Sequence, residues 1–171
     1  MRNHRVGIRR GIGVATAAAG LLVGAGAATA GGHTSYHGVF HETAAGKDLG
    51  YDIHGTAKMT VGSSTTVVKI NVSGLDPTKK YGSHLHNGTC ASGGGGHYQD
   101  VVVPAGDPPM DAPPNELWLE NSDMTLRSNP GGVAHATGSA PWVARTSAAT
   151  TNARSVVVHG DGARIACVDL T

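Results

Sequence analysis

From residue 31 onward the chain never sustains an apolar repeat of three to four residues. Its hydrophobic side chains come in short β-favouring runs, cut by Gly, Pro, Asn and Asp. The runs are SYHGVFHE, TAKMTVG, TTVVKINVSGL, YGSHLHN, ELWLENSDMTLR, GVAHATGS, SVVVHG and ARIACVDL, with SNPGG reading as a hairpin turn between the fifth and sixth. That pattern predicts an all-β fold of about eight antiparallel strands, a sandwich or barrel. One stretch departs from it. Ala91 to Asn115 is rich in Gly and Pro, and loops of this length in compact domains are usually functional or disordered, an exposed linker being the competing reading.

The first thirty residues belong to a different class. A basic head, MRNHRVGIRR, precedes a Gly/Ala/Val/Leu run that closes on Ala28-Thr29-Ala30. This pattern predicts an export signal and not a membrane anchor. The Arg9-Arg10 pair leaves both the general and the twin-arginine routes open. The expected organisation is a signal over 1–30, a flexible His-containing segment over 31–50 and one β-domain over 51–171, in a secreted or extracytoplasmic protein. Of the 13 Lys and Arg, four lie in the signal, leaving nine against twelve acids and a net charge of −3 for residues 31–171. That balance argues against a nucleic-acid partner and against a polybasic membrane contact.

Export decides how the two cysteines read. In an oxidising compartment Cys90 and Cys167 are expected to pair. Closing so long a loop stabilises by roughly 4–5 kcal/mol in the chain-entropy view.

Alternate residues of a strand share a face, so His84 and His86 project together while Leu85 points away. Two imidazoles on one face make half of a metal site, and copper or zinc accepts such donors. Two further donors are at hand. His97 follows four glycines, and His159 ends the apolar run SVVVH.

Taken in order, HLH, a cysteine, GGGGHY, VVVH and ARIAC resemble the copper/zinc superoxide dismutases. The resemblance covers about residues 53–170. It implies a Greek-key β-barrel and a copper ion held by His84, His86, His97 and His159. It also implies a Cys90–Cys167 disulfide and an arginine, Arg164, beside the copper to attract and orient superoxide. Two departures accompany it. No histidine occurs from Tyr98 to Asn121, where the family places zinc ligands; only Asp100, Asp107, Asp111, Glu116 and Glu120 are offered. After His159, only GDGA intervenes before Arg164 in place of a long charged loop. Both departures look like the copper-only branch, so copper is the expected cofactor and zinc is not expected. Glu116 falls where its carboxylate would hold the second nitrogen of His97 in that branch. An exposed acid at a strand start is the alternative. His135 matches no ligand position and reads as a strand histidine.

The resemblance implies conversion of superoxide to dioxygen and hydrogen peroxide by copper cycling, with His97 carrying a proton. A copper-binding or copper-storing protein on the same scaffold is the alternative, and Arg164 favours the enzyme. A start at Gly31 would place His33 third in Gly31-Gly32-His33, a square-planar copper(II) chelate, with His37 and His41 following. A chance histidine-bearing tail is the competing reading.

Overall fold

The computed structural model describes residues 32–102, 112–147 and 152–171. The expected signal over 1–30, the start at Gly31, Asp107 and Asp111 lie outside the described residues. Alternation of buried and exposed positions produces strands β1 (Thr34–Val39), β2 (His41–Glu42), β3 (His54–Val61), β4 (Thr66–Ser73), β5 (Gly82–His86), β6 (Ala134–Ala140), β7 (Ser155–Gly160) and β8 (Ala163–Asp169). They form two four-stranded antiparallel sheets, ordered β1-β3-β4-β6 and β2-β8-β7-β5. The all-β sandwich expected from the sequence is the observed architecture.

In β4, Val68, Ile70 and Val72 enter the core while Lys69 and Asn71 face out; in β6, Ala134 and Ala136 enter and His135 faces out. The second sheet answers with Leu85, Val156, Val158, Ile165 and Val168. Each such aliphatic side chain contributes about 1.5–3 kcal/mol on burial. The disulfide between Cys90 and Cys167 is present, tying a single 3-10 turn (Cys90–Ser92) to β8.

Two expectations are corrected. Most of the segment 31–50, expected to be flexible, is built into the sandwich. Strand β1 pairs with β3 over six positions, and its His37 exchanges both backbone hydrogen bonds with Thr171. Gly38 allows this approach, since a Cβ there would lie 2.0 Å from the Asp169 carbonyl oxygen. Phe40 is buried at the corner where the chain passes to β2, and a short helix α1 (Ala44–Asp48), capped by Thr43, packs its Gly46 against β8.

The second correction concerns ELWLENSDMTLR, expected as a continuous strand joined by a hairpin to β6. Here it lies along the open edge of β5 through isolated bridges, His84 to Trp118 and Tyr81 to Leu126. A tight turn interrupts it, with Asp123 and Met124 at φ 47° and 54°. Strand β6 pairs with β4 instead.

Candidate metal centre

Strand β5 ends its sheet, and its alternation sorts the side chains. Ser83 and Leu85 are buried, and His84 and His86 stand together on the other face. Its neighbour β7 sends Val156 and Val158 to the core and turns Val157 and His159 toward the same outer face. Gly82 lies opposite His159, and His84 opposite Val157. The register between β7 and β8 then shifts, so His159 faces Arg164 and Ile165 is skipped. Such a bulge re-aims a side chain at a strand end. The hairpin closes through Asp161 and Gly162, both at positive φ, which suits a two-residue turn.

The glycine-rich loop brings the fourth ring. The amide of Asn87 bonds the Gly96 carbonyl at 3.0 Å, and that of Tyr98 bonds the Leu85 carbonyl at 2.8 Å, so His97 sits opposite His86. The loop lies close over β7. A Cβ on Gly94, at φ 83°, would come 2.8 Å from a Val157 methyl. A larger residue would lift the loop, and His97 with it.

One nitrogen from each of His84, His86, His97 and His159 lies within 4.8 Å of the others. The Nε2 atoms of His86 and His159 are 3.2 Å apart. Donors bound at about 2.0 Å to a common ion sit about 3–4 Å from each other. Two of the four rings have an acceptor at the far nitrogen. His86 Nδ1 faces the Gly95 carbonyl at 3.4 Å, and His97 Nδ1 lies 2.7 Å from Glu116 Oε2. Both acceptors favour a proton on Nδ1 and leave Nε2 a lone pair. His84 Nδ1 is buried with no hydrogen-bond partner among the described residues, and an ion would satisfy it. The four histidines thus form a cluster that could hold a metal ion.

No protein-family model matches this chain, and no curated protein matches it.

Electrostatics favours neutral rings. Burial, followed by the charge of His97, pulls His84 and His86 down to about 3. Burial, then His97 and Arg164, brings His159 down to about 4. Burial pushes the Glu116 carboxyl up, but hydrogen bonds from His97, Trp118 and Gln99 outweigh it and hold it below the usual range. Glu116 is only 2% exposed, so the sequence's alternative of an exposed acid does not apply.

Arg164 is exposed, and its Nη1 donates to the Gly93 carbonyl at the rim of the loop. The remaining sequence candidates lie elsewhere. Asp100 faces Arg145 at 3.6 Å, and Glu120 and His135 line a groove on the outer face of the other sheet. His33, His37 and His41 are exposed on the N-terminal segment. A second, more exposed group, Glu42, Asp52 and His54, is separate from the histidine cluster.

Sequence reasoning missed Trp118, whose Nε1 donates to Glu116 Oε2 at 2.7 Å, and Gln99, which donates to Oε1 at 3.2 Å. The signal was present in ELWL: Leu117 and Leu119 take the core positions, so Trp118 shares the face of Glu116.

No helix among the described residues is long and apolar enough to cross a membrane, and the disulfide points to an oxidising compartment.

Proposed function

We propose that this chain is an exported, copper-dependent superoxide dismutase. The observation that carries the reading is the convergence of His84, His86, His97 and His159, with the far nitrogen of His97 held by a buried carboxylate. Bound copper would supply a one-electron couple, which zinc lacks, so that two superoxide ions and two protons become one dioxygen and one hydrogen peroxide.

The protein's own residues divide the remaining work. Burial keeps His84, His86 and His159 neutral and available as donors. The side chain of His97 is 32% exposed, and with Nδ1 committed to Glu116 its Nε2, whenever it is released from the ion, is the atom that would take a proton from solvent and deliver it to the product oxygen. Arg164 offers an exposed positive charge at the loop rim, where it attracts the anionic substrate and orients it. The Gly93 carbonyl limits the freedom of that guanidinium. The export signal and disulfide fit action outside the cytoplasm.

The test is metal content measured with superoxide consumption on purified residues 31–171. About one copper per chain, little zinc and rapid consumption support the reading. Bound copper without consumption replaces it with copper storage.

A further inference from the structure

Two donors converge on a single carboxylate oxygen. His97 Nδ1 and Trp118 Nε1 each lie 2.7 Å from Glu116 Oε2. Gln99 occupies the other oxygen at 3.2 Å. The Trp118 ring lies 5.0 Å from that of His84, inclined at 55°, and the two residues bridge across the edge of β5.

We infer that Trp118 is a positioning residue of the metal centre, fixing His97 through Glu116 and seating His84 by direct contact. The inference rests on reading the four rings as a metal site. An indole N–H donates and never accepts, unlike a hydroxyl, an amide or a water. Glu116 Oε2 must therefore accept from Trp118, and its remaining acceptor capacity is directed to His97. That sets the proton of His97 on Nδ1 and its lone pair on Nε2. The indole also opposes rotation of the carboxylate, because turning away would cost this part-buried N–H its acceptor. From one extended segment, the same side chain thus controls the orientation of two of the four rings. It has a further consequence for metal stoichiometry. A second cation on the Nδ1 side of His97 would have to displace that proton and also meet the indole N–H, which cannot turn into a ligand.

The test uses nitrogen-15 NMR of the metal-free, full-length mature chain, residues 31–171. In the wild type, Trp118 Nε1–H and His97 Nδ1–H are expected to resonate downfield and exchange slowly, and Glu116→Gln to shift both. Trp118→Phe keeps an aromatic ring at this position and removes the N–H donor, with some loss of ring area. Its His97 Nδ1–H is expected to exchange about tenfold faster or more, as loss of a bond to a charged acceptor implies. Amide resonances away from the site should be unchanged, and the visible absorption band of the copper(II)-loaded variant should shift. Wild-type protection of His97 in folded Trp118→Phe overturns the inference. Should that variant not fold, a wild-type Trp118 Nε1–H exchanging at the rate of an exposed indole overturns it as well. The NMR readouts need neither metal nor substrate, so they separate this inference from the question of dismutase turnover.

Discussion

His86 and His159 face each other across neighbouring strands with their Nε2 atoms 3.2 Å apart, and His86 Nδ1 faces a carbonyl. Lone pairs so placed repel unless a proton or a cation lies between them. Metal affinity should therefore depend on this pair more than on any gain in stability of the empty chain. His86→Gln is expected to weaken copper binding at least about a hundredfold, as the loss of one of four donors implies, given that changes one shell further out already cost 10–100-fold. The thermal midpoint of the metal-free protein should fall little. Competition titration against a chelator of known affinity, together with calorimetry of the empty protein, measures both quantities.

The histidine cluster also gives the metal-free protein an acid liability of definite sign. Burial first, and neighbouring charge second, lower His84 and His86 to about 3 and His159 to about 4. In the unfolded chain histidines titrate near about 6.5. Below that pH the unfolded state binds protons that the folded state refuses, so stability is present above about pH 6.5 and falls as pH drops toward about 4. The metal-free thermal midpoint should be flat from pH 7 to 8 and decline below 6.5. His84→Leu with His159→Leu should reduce the decline, and an unchanged slope in that variant would assign the acid sensitivity to other groups.

Glu116 is buried and accepts from three side chains. Glu116→Gln preserves its shape but replaces one acceptor oxygen by a donor NH₂, which must then face His97, Trp118 or Gln99. The expected outcome is a 10- to 100-fold loss of metal affinity or activity, as outer partners of ligating histidines generally give. Glu116→Asp keeps the charge, and its shorter stem withdraws it from His97. Chelator competition and superoxide consumption on both variants separate charge from reach.

What the sequence displayed, and what it withheld, follows from the range of the interactions. The alternation in TTVVKINVSGL and SVVVHG is local, so β4 and β7 were legible, and the same period put His84 and His86 on one face. The expectation of an oxidising compartment made the Cys90–Cys167 pairing readable. The alternation in ELWL put Trp118 on the face of Glu116, but its role was not legible because it depends on which face of that segment meets β5. The Gly95 carbonyl opposite His86 is backbone and carries no residue signature. The run SYHGVFHE was legible as β-forming, but the segment 31–50 that contains it was expected to be flexible because its order comes from distant partners, β3, β8 and Thr171.

Arg164 carries the electrostatic prediction. Residues 31–171 have a net charge of −3, so an approaching anion is repelled overall and needs a local attraction. The short turn through Asp161 and Gly162 brings no cation of its own, and Asp161 is already paired with Lys79 at 2.7 Å. Arg164, exposed and held to the loop by the Gly93 carbonyl, also adds a smaller contribution, after burial and His97, to the lowering of His86 and His159. Arg164→Gln should lower the second-order rate with superoxide about tenfold and weaken its fall with added salt, because steering is screened over about 10 Å at 0.1 M. Arg164→Lys should keep much of the salt dependence but lose the forked geometry. Pulse radiolysis across ionic strength reads both effects, and a salt slope unchanged in Arg164→Gln would place the steering charge on another residue.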